Sequence, residues 1–272
     1  MKDAIRLLAL GALLCVPAVT LAQTSPLYIT NFDWPPVHHV VQNGEVINEW
    51  QTGGAYGGDY QWAMAVTDTI KIFASSADGM GYEYSLDGEM LLGTYPNPGF
   101  NDCFDGATSG TQNWTIAHND TASDFAVLVA DADWGSAAVA FVPQRRSSGI
   151  TYDGNTGTLW VTNTTSVCDR VQQYSLEGDL LSEFAVDDIF GGYGIAWDPA
   201  DDTLWISQMC PFGEPGPELH QFDKQGNLLQ SVDLPGVAAT VFGATGLEFQ
   251  MVPEPASALL LVIGALAIVR RR

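Results

Sequence analysis

Positive charge is scarce in this chain: 10 Lys and Arg stand against 32 Asp and Glu, for a formal net charge of −22. That shortage argues against a nucleic-acid partner, because phosphate binding needs clustered Lys and Arg. Histidine is limited to His38, His39, His118 and His220. No His-Glu-x-x-His and no Gly-x-Ser-x-Gly occurs, so zincin and α/β-hydrolase chemistry lack their usual sequence support. Nor does any glycine loop have the form that cradles phosphates. Charged residues make up only 15% of the chain, yet 46% hydrophobic residues, 11% aromatics and eight Trp argue against disorder and supply ample material for a core. What is abundant is glycine (28) and proline (14), in 272 residues that allow one large domain or two small ones.

The two ends read as addresses. Lys2 and Arg6 precede an apolar run from Leu7 to Val19, and Thr20-Leu21-Ala22 closes it with the small residues a signal peptidase reads. Residues 1–22 are therefore expected to be an export signal, cleaved before Gln23; the alternative is a buried N-terminal helix. At the other end, Pro253-Glu254-Pro255 is followed by an apolar stretch, residues 256–269, and then Arg270-Arg271-Arg272. Fourteen apolar residues fall short of the roughly 20 that cross a bilayer comfortably. The terminal arginines would stay cytoplasmic and leave everything upstream outside.

This three-part tail, residues 252–272, resembles the PEP-CTERM sorting signal of Gram-negative bacteria. The resemblance implies recognition of Pro253, Glu254 and Pro255 by an exosortase-type transpeptidase. It also implies a transient inner-membrane anchor ending in Arg270, Arg271 and Arg272. The final location would be the cell surface or an extracellular matrix linked to exopolysaccharide and biofilm. An ordinary C-terminal anchor with a chance triplet is the alternative.

Between the addresses, residues 23–251 repeat. Gly149-Ile150-Thr151-Tyr152-Asp153, followed by Thr158-Leu159-Trp160-Val161-Thr162, recurs 45 residues later as Gly194-Ile195-Ala196-Trp197-Asp198 and Thr203-Leu204-Trp205-Ile206-Ser207. Each copy reads as a hairpin. A second hairpin follows, turning at Gly178 and Gly226, with earlier copies at Gly44 and Gly88 and room for a degenerate one around Trp134-Gly135. Glycine suits these turns because tight hairpins need positive φ. Two hairpins every 43 to 48 residues is the period of a propeller blade. The expected fold is all-β, a β-propeller of about five four-stranded blades, with an N-terminal signal helix and a C-terminal membrane helix outside it. The segment 245–250 reads as a first strand lacking a second, and 27–31 as a second lacking a first, so the two should close the ring in one blade. A β-sandwich explains the alternation but not the offset.

The Gly-Ile-x-aromatic-Asp, turn, Thr-Leu-Trp-Val pattern resembles gluconolactonase-like and NHL-type propellers. That resemblance implies fold more than activity. By it, a divalent metal, calcium by ligand hardness, could sit at the ring centre, which would make the chain a metal-dependent lactonase-like hydrolase. Asp131 and Asp133 are weak candidates. Asp153, Asp198, Asp201 and Asp202 fall in first-hairpin turns, where Asp bends the chain, and Asp187 and Asp188 complete the acidic set. The favoured expectation is a non-catalytic binding or structural propeller.

Export places Cys103, Cys168 and Cys210 where disulfides persist, and Cys168 with Cys210 follow equivalent strands of adjacent blades. They form either a bridge, with Cys103 left free or the pairing different because the count is odd, or buried thiols. Trp160, Trp197 and Trp205 read as core, whereas Trp34, Trp50, Trp62, Trp114 and Trp134 are freer to stack on sugars. Outside the membrane five basic residues face 30 acidic ones, a net of −25, which should repel anionic polymers unless cations bridge them.

Overall fold

The computed structural model describes residues 25–31, 36–51, 61–74, 80–96, 103–118, 125–163, 167–190, 192–208, 218–234, 237 and 244–251. The export signal, the tail 252–272, Trp34 and Cys210 lie outside the described residues. Among the described residues there are only strands, and they build five four-stranded antiparallel sheets. Blade 1 runs from the axis outward as β20 (Ala244–Phe249), β1 (Leu27–Asn31), β2 (Val37–Gln42) and β3 (Glu45–Gln51). Blade 2 is β4 (Gln61–Val66), β5 (Ile70–Ala74), β6 (Met80–Tyr84) and β7 (Leu91–Pro96). Blade 3 is β8 (Cys103–Thr108), β9 (Gln112–His118), β10 (Phe125–Asp131) and β11 (Ala138–Phe141). Blade 4 is β12 (Ser147–Asp153), β13 (Thr158–Asn163), β14 (Val167–Tyr174) and β15 (Leu180–Phe190). Blade 5 is β16 (Ile195–Asp198), β17 (Thr203–Gln208), β18 (Glu218–Phe222) and β19 (Leu228–Asp233).

The chain is a five-bladed β-propeller. Its ring closes as expected: Leu27, Tyr28, Ile29 and Thr30 of β1 pair with Phe249, Glu248, Leu247 and Gly246 of β20. Closure covers the inner edge of β1 with β20 and so joins the two ends of the chain in one blade. The hydrophobic core is divided among the seams between blades. Ile195, Trp197 and Leu204 of blade 5 pack with Trp160, Val171 and Phe184 of blade 4. Ala196 and Trp205, on the other face of the same sheet, pack with Ile29, Leu247 and Phe249 of blade 1. This is period-2 alternation read twice, once for each neighbouring blade. Trp160, Trp197 and Trp205 are buried, in keeping with the core reading, but so are Trp62, Trp114 and Trp134; Trp50 is half-buried.

The first and third turns of every blade lie on one side of the wheel, here the hairpin face. The second turns and the links between blades lie on the other, the crossover face. Third-turn glycines Gly44, Gly88, Gly178 and Gly226 have φ of 79°, 70°, 93° and 88°, the left-handed region that the sequence calls for. In blade 3 no glycine serves: Trp134 itself takes φ of 58°, with its ring buried. Asp131 holds that turn, its Oδ1 accepting from the amides of Asp133 (3.0 Å) and Gly135 (2.7 Å).

Candidate functional site: the central axis

In a propeller the innermost strand of each blade has a neighbour on one side only, so its outward amides point at the axis and need an acceptor. Here one side chain supplies it. Asp105 of β8 is completely buried, and its carboxylate accepts from four backbone amides. Oδ1 takes Gly106 (2.9 Å) and Leu247 (3.0 Å); Oδ2 takes Ile150 (3.0 Å) and Ile195 (3.0 Å). Blades 1, 3, 4 and 5 are thereby tied to a single hub.

Strand register explains why this residue reaches the axis. Ala107 faces Trp114 in blade 3 as Thr151 faces Trp160 and Ala196 faces Trp205. Asp105 thus occupies the position of Gly149, Gly194 and Gly246, where the other blades leave room for it. A carboxylate among four donors is arranged for an anion, while burial pushes its pKa well above the usual carboxylate range. Glu248 of β20 lies beside it, also fully buried; burial and the Asp105 charge both raise its carboxyl, opposed by the Thr108 amide and the Thr151 hydroxyl. Two buried carboxyls this close do not both ionise. With four amide donors against fewer for Glu248, Asp105 is the better stabilised anion of the two.

The axis opens on the hairpin face into a funnel of about 590 Å3, lined among others by Thr67, Asp68, Ser109, Asn155, Trp197 and Met251. Both described chain ends reach this mouth. The Gln250 amide donates to Pro26 O (3.3 Å) and the Met251 amide to Val66 O (3.1 Å).

The acids named from the sequence are not gathered at the axis. Asp131 is spent on its own turn, and Asp133 pairs with Lys71 at 2.7 Å. Asp153 caps the first turn of blade 4 through Asn155 and Thr156 and also holds Lys224 at 2.6 Å, and Asp198 caps Ala200. Burial pushes the Asp198 carboxyl up to about 6. Asp201 accepts from Thr203 and Gln221, and Asp202 from Lys224, Trp197 and Asn155. Asp187 and Asp188 lie on β15. Among the described residues no three His, Cys, Asp or Glu side chains gather as metal ligands would. Asp105 has its oxygens engaged by amides, so the axial donor set does not fit a divalent cation.

His38 and His39 are buried on β2, His118 lies on β9 and His220 on β18, where it bridges Ser231 and Gln208. They stand in three different blades. The Cys168 sulfur is buried near Arg170 O (3.5 Å), and burial pushes its pKa up to about 12. Asp105 and Glu248 are the residues that sequence reasoning missed. The available signal was the third repeat: aligning Trp114 with Trp160 and Trp205 sets an acid where a glycine is expected.

Comparison with known proteins supports the fold. No family model matches the chain, and no curated protein matches it. Among solved structures, the chain is similar to one from a nidogen/laminin complex (TM-score 0.52, 11% identity), covering 84% of this chain and 98% of that one. A Bacteroides caccae protein of unknown function also aligns (TM-score 0.44, 10% identity, 84% and 99% covered). So does a Myxococcus xanthus glutaminyl cyclase (TM-score 0.43, 9% identity, 76% and 75% covered). Identity this low speaks to architecture alone.

Proposed function

We propose that the chain is an exported, non-catalytic binding or structural propeller, sorted through its tail by an exosortase-type transpeptidase to the cell surface or matrix, in association with exopolysaccharide. One observation carries this reading: Pro26 and Gln250, a few residues inside the two expected labels, are hydrogen-bonded to each other at one mouth of a wheel already closed between them. Both labels could then be removed without cutting a strand. Only residues 252–255 separate the wheel from the apolar stretch, a span of roughly 14 Å at full extension. An anchored wheel would therefore keep its hairpin face toward the bilayer and its crossover face outward. The lactonase-like alternative draws no support from an axis whose carboxylate is consumed by amides.

The test is the mass and location of the chain in cells with and without the transpeptidase. Sorting requires loss of the tail and transfer from inner membrane to surface or matrix when the enzyme is present. A full-length chain in both strains overturns it.

A further inference from the structure

The crossover face holds a feature that neither the hub nor the tail explains. Phe104, just before Asp105 on β8, stands half-buried in a stack of rings: Trp62 at 5.5 Å and 17°, Tyr193 at 6.2 Å and 21°. Phe125 meets it at 5.8 Å and 36°, and the Arg146 guanidinium lies over Phe125 at 4.5 Å. Trp62 and Phe125 are buried supports, whereas Phe104 and Tyr193 keep accessible surface. The rings come from blades 2 and 3 and from the link that leads into blade 5, so the wheel itself fixes their spacing.

Positive charge adds to the rings. Of the five basic residues between 23 and 251, Lys71, Arg170 and Lys224 are each paired with carboxylates. Arg145 and Arg146 are exposed and form no ion pair among the described residues. In an ectodomain of net −25, two arginines adjacent in sequence stand without a carboxylate partner among the described residues, and Arg146 sets its guanidinium over Phe125 next to the accessible rings. Flat apolar surface next to guanidinium donors matches a ligand with a flat C–H face and a carboxylate.

We propose that the crossover mouth, through Phe104, Tyr193, Arg145 and Arg146, binds an acidic polysaccharide of uronate type. This rests on the binding-module reading and names its ligand class. A pyranose ring would lie on the exposed aromatic surface and its carboxylate would take the arginine fork. Nucleic acid offers rings and anions too, but its dense charge would meet the repulsion of the surrounding acids with only two arginines to offset it.

The experiment is calorimetric titration of the full chain in detergent micelles, with EDTA present to remove bridging cations. The probes are a hexamer of galacturonate, a neutral hexamer of glucose and an oligothymidylate. The galacturonate hexamer should bind at least about tenfold more tightly than the other two. Arg145→Gln/Arg146→Gln should lose at least about tenfold of that affinity with its unfolding midpoint unchanged. Tyr193→Ala should weaken the same probe, and Arg170→Gln should not. Equal binding of acidic and neutral hexamers, unchanged affinity in the arginine variant, tighter binding of the oligothymidylate, or no binding of any probe would each overturn the proposal. Binding by a chain whose tail is never cleaved would leave this site standing and remove the sorting reading instead.

Discussion

Glycine in this wheel answers two different demands. At the third turns it supplies positive φ and also lies under a ring from the preceding blade: Trp50 over Gly88, Phe141 over Gly178, Phe184 over Gly226. A Cβ at Gly226 would stand 2.6 Å from Phe184 Cδ2, while one at Gly110, with φ of 83°, would meet nothing within 4 Å. Gly110→Ala should therefore cost only the left-handed strain, about 1–2 kcal/mol. Gly226→Ala should cost that plus overpacking of about 1–3 kcal/mol. Thermal unfolding of the two variants distinguishes them, and equal losses would show that Phe184 contributes nothing. In the inner strands the demand is close approach: a Cβ at Gly149 would fall 2.5 Å from Thr162 Oγ1 and 2.9 Å from Tyr193 O. The repeated Gly-Ile was visible in the sequence as part of a strand; that the strand is pressed against its neighbour there was not.

At the scale of elements, a hydroxyl at the end of the second strand joins blade to blade. Thr162 accepts from the Gly149 amide at 3.0 Å and donates to Gly192 O at 3.1 Å. Ser207 accepts from Gly194 and donates to Ala244 O, and Thr30 accepts from Gly246 and donates to Trp62 O. Thr162→Val keeps the shape and removes both bonds, taking from the buried Gly149 amide its acceptor at a cost of about 1–3 kcal/mol. Chemical denaturation should register this as a lower midpoint with an unchanged slope. An unaltered midpoint would mean that the seam is held by packing alone.

The Thr or Ser ending Trp-Val-Thr, Trp-Ile-Ser and Tyr-Ile-Thr made these hairpins and the closing blade legible. Blades 2 and 3 carry Phe73 and Ile116 at that register, the reason their copies were faint. The hub escaped notice for a related reason. Asp105 sits in the faintest repeat, and its role depends on amides from β12, β16 and β20, which no local pattern brings together. The crossover mouth likewise joins Trp62, Phe104 and Tyr193 across three blades, so only ring closure reveals it.

At the scale of the whole molecule, acidity acts in two places. Residues 23–251 carry a formal net −25, with most of the described acidic side chains exposed, which favours solubility and repels most anions. The axis carries a buried pair, of which Glu248 has its folded pKa raised well above the usual carboxylate range by burial and by the Asp105 charge. A raised folded pKa contributes stability below the unfolded value, and that contribution is lost as pH climbs toward the folded one. Glu248→Gln, neutral at every pH, should therefore be more stable than the parent at pH 7 and lose that advantage near pH 4. Unfolding midpoints at the two pH values decide it; a difference independent of pH would contradict a protonated Glu248.

Above all, the wheel depends on one carboxylate serving amides that have no strand to pair with. Amide hydrogen exchange reads this directly at Ile150, Ile195 and Leu247. Held by Asp105, these three should exchange only through global unfolding, as slowly as amides paired within the ladders, and Asp105→Asn should release them first. Rapid exchange at these positions in the unaltered chain would mean that the hub is not formed.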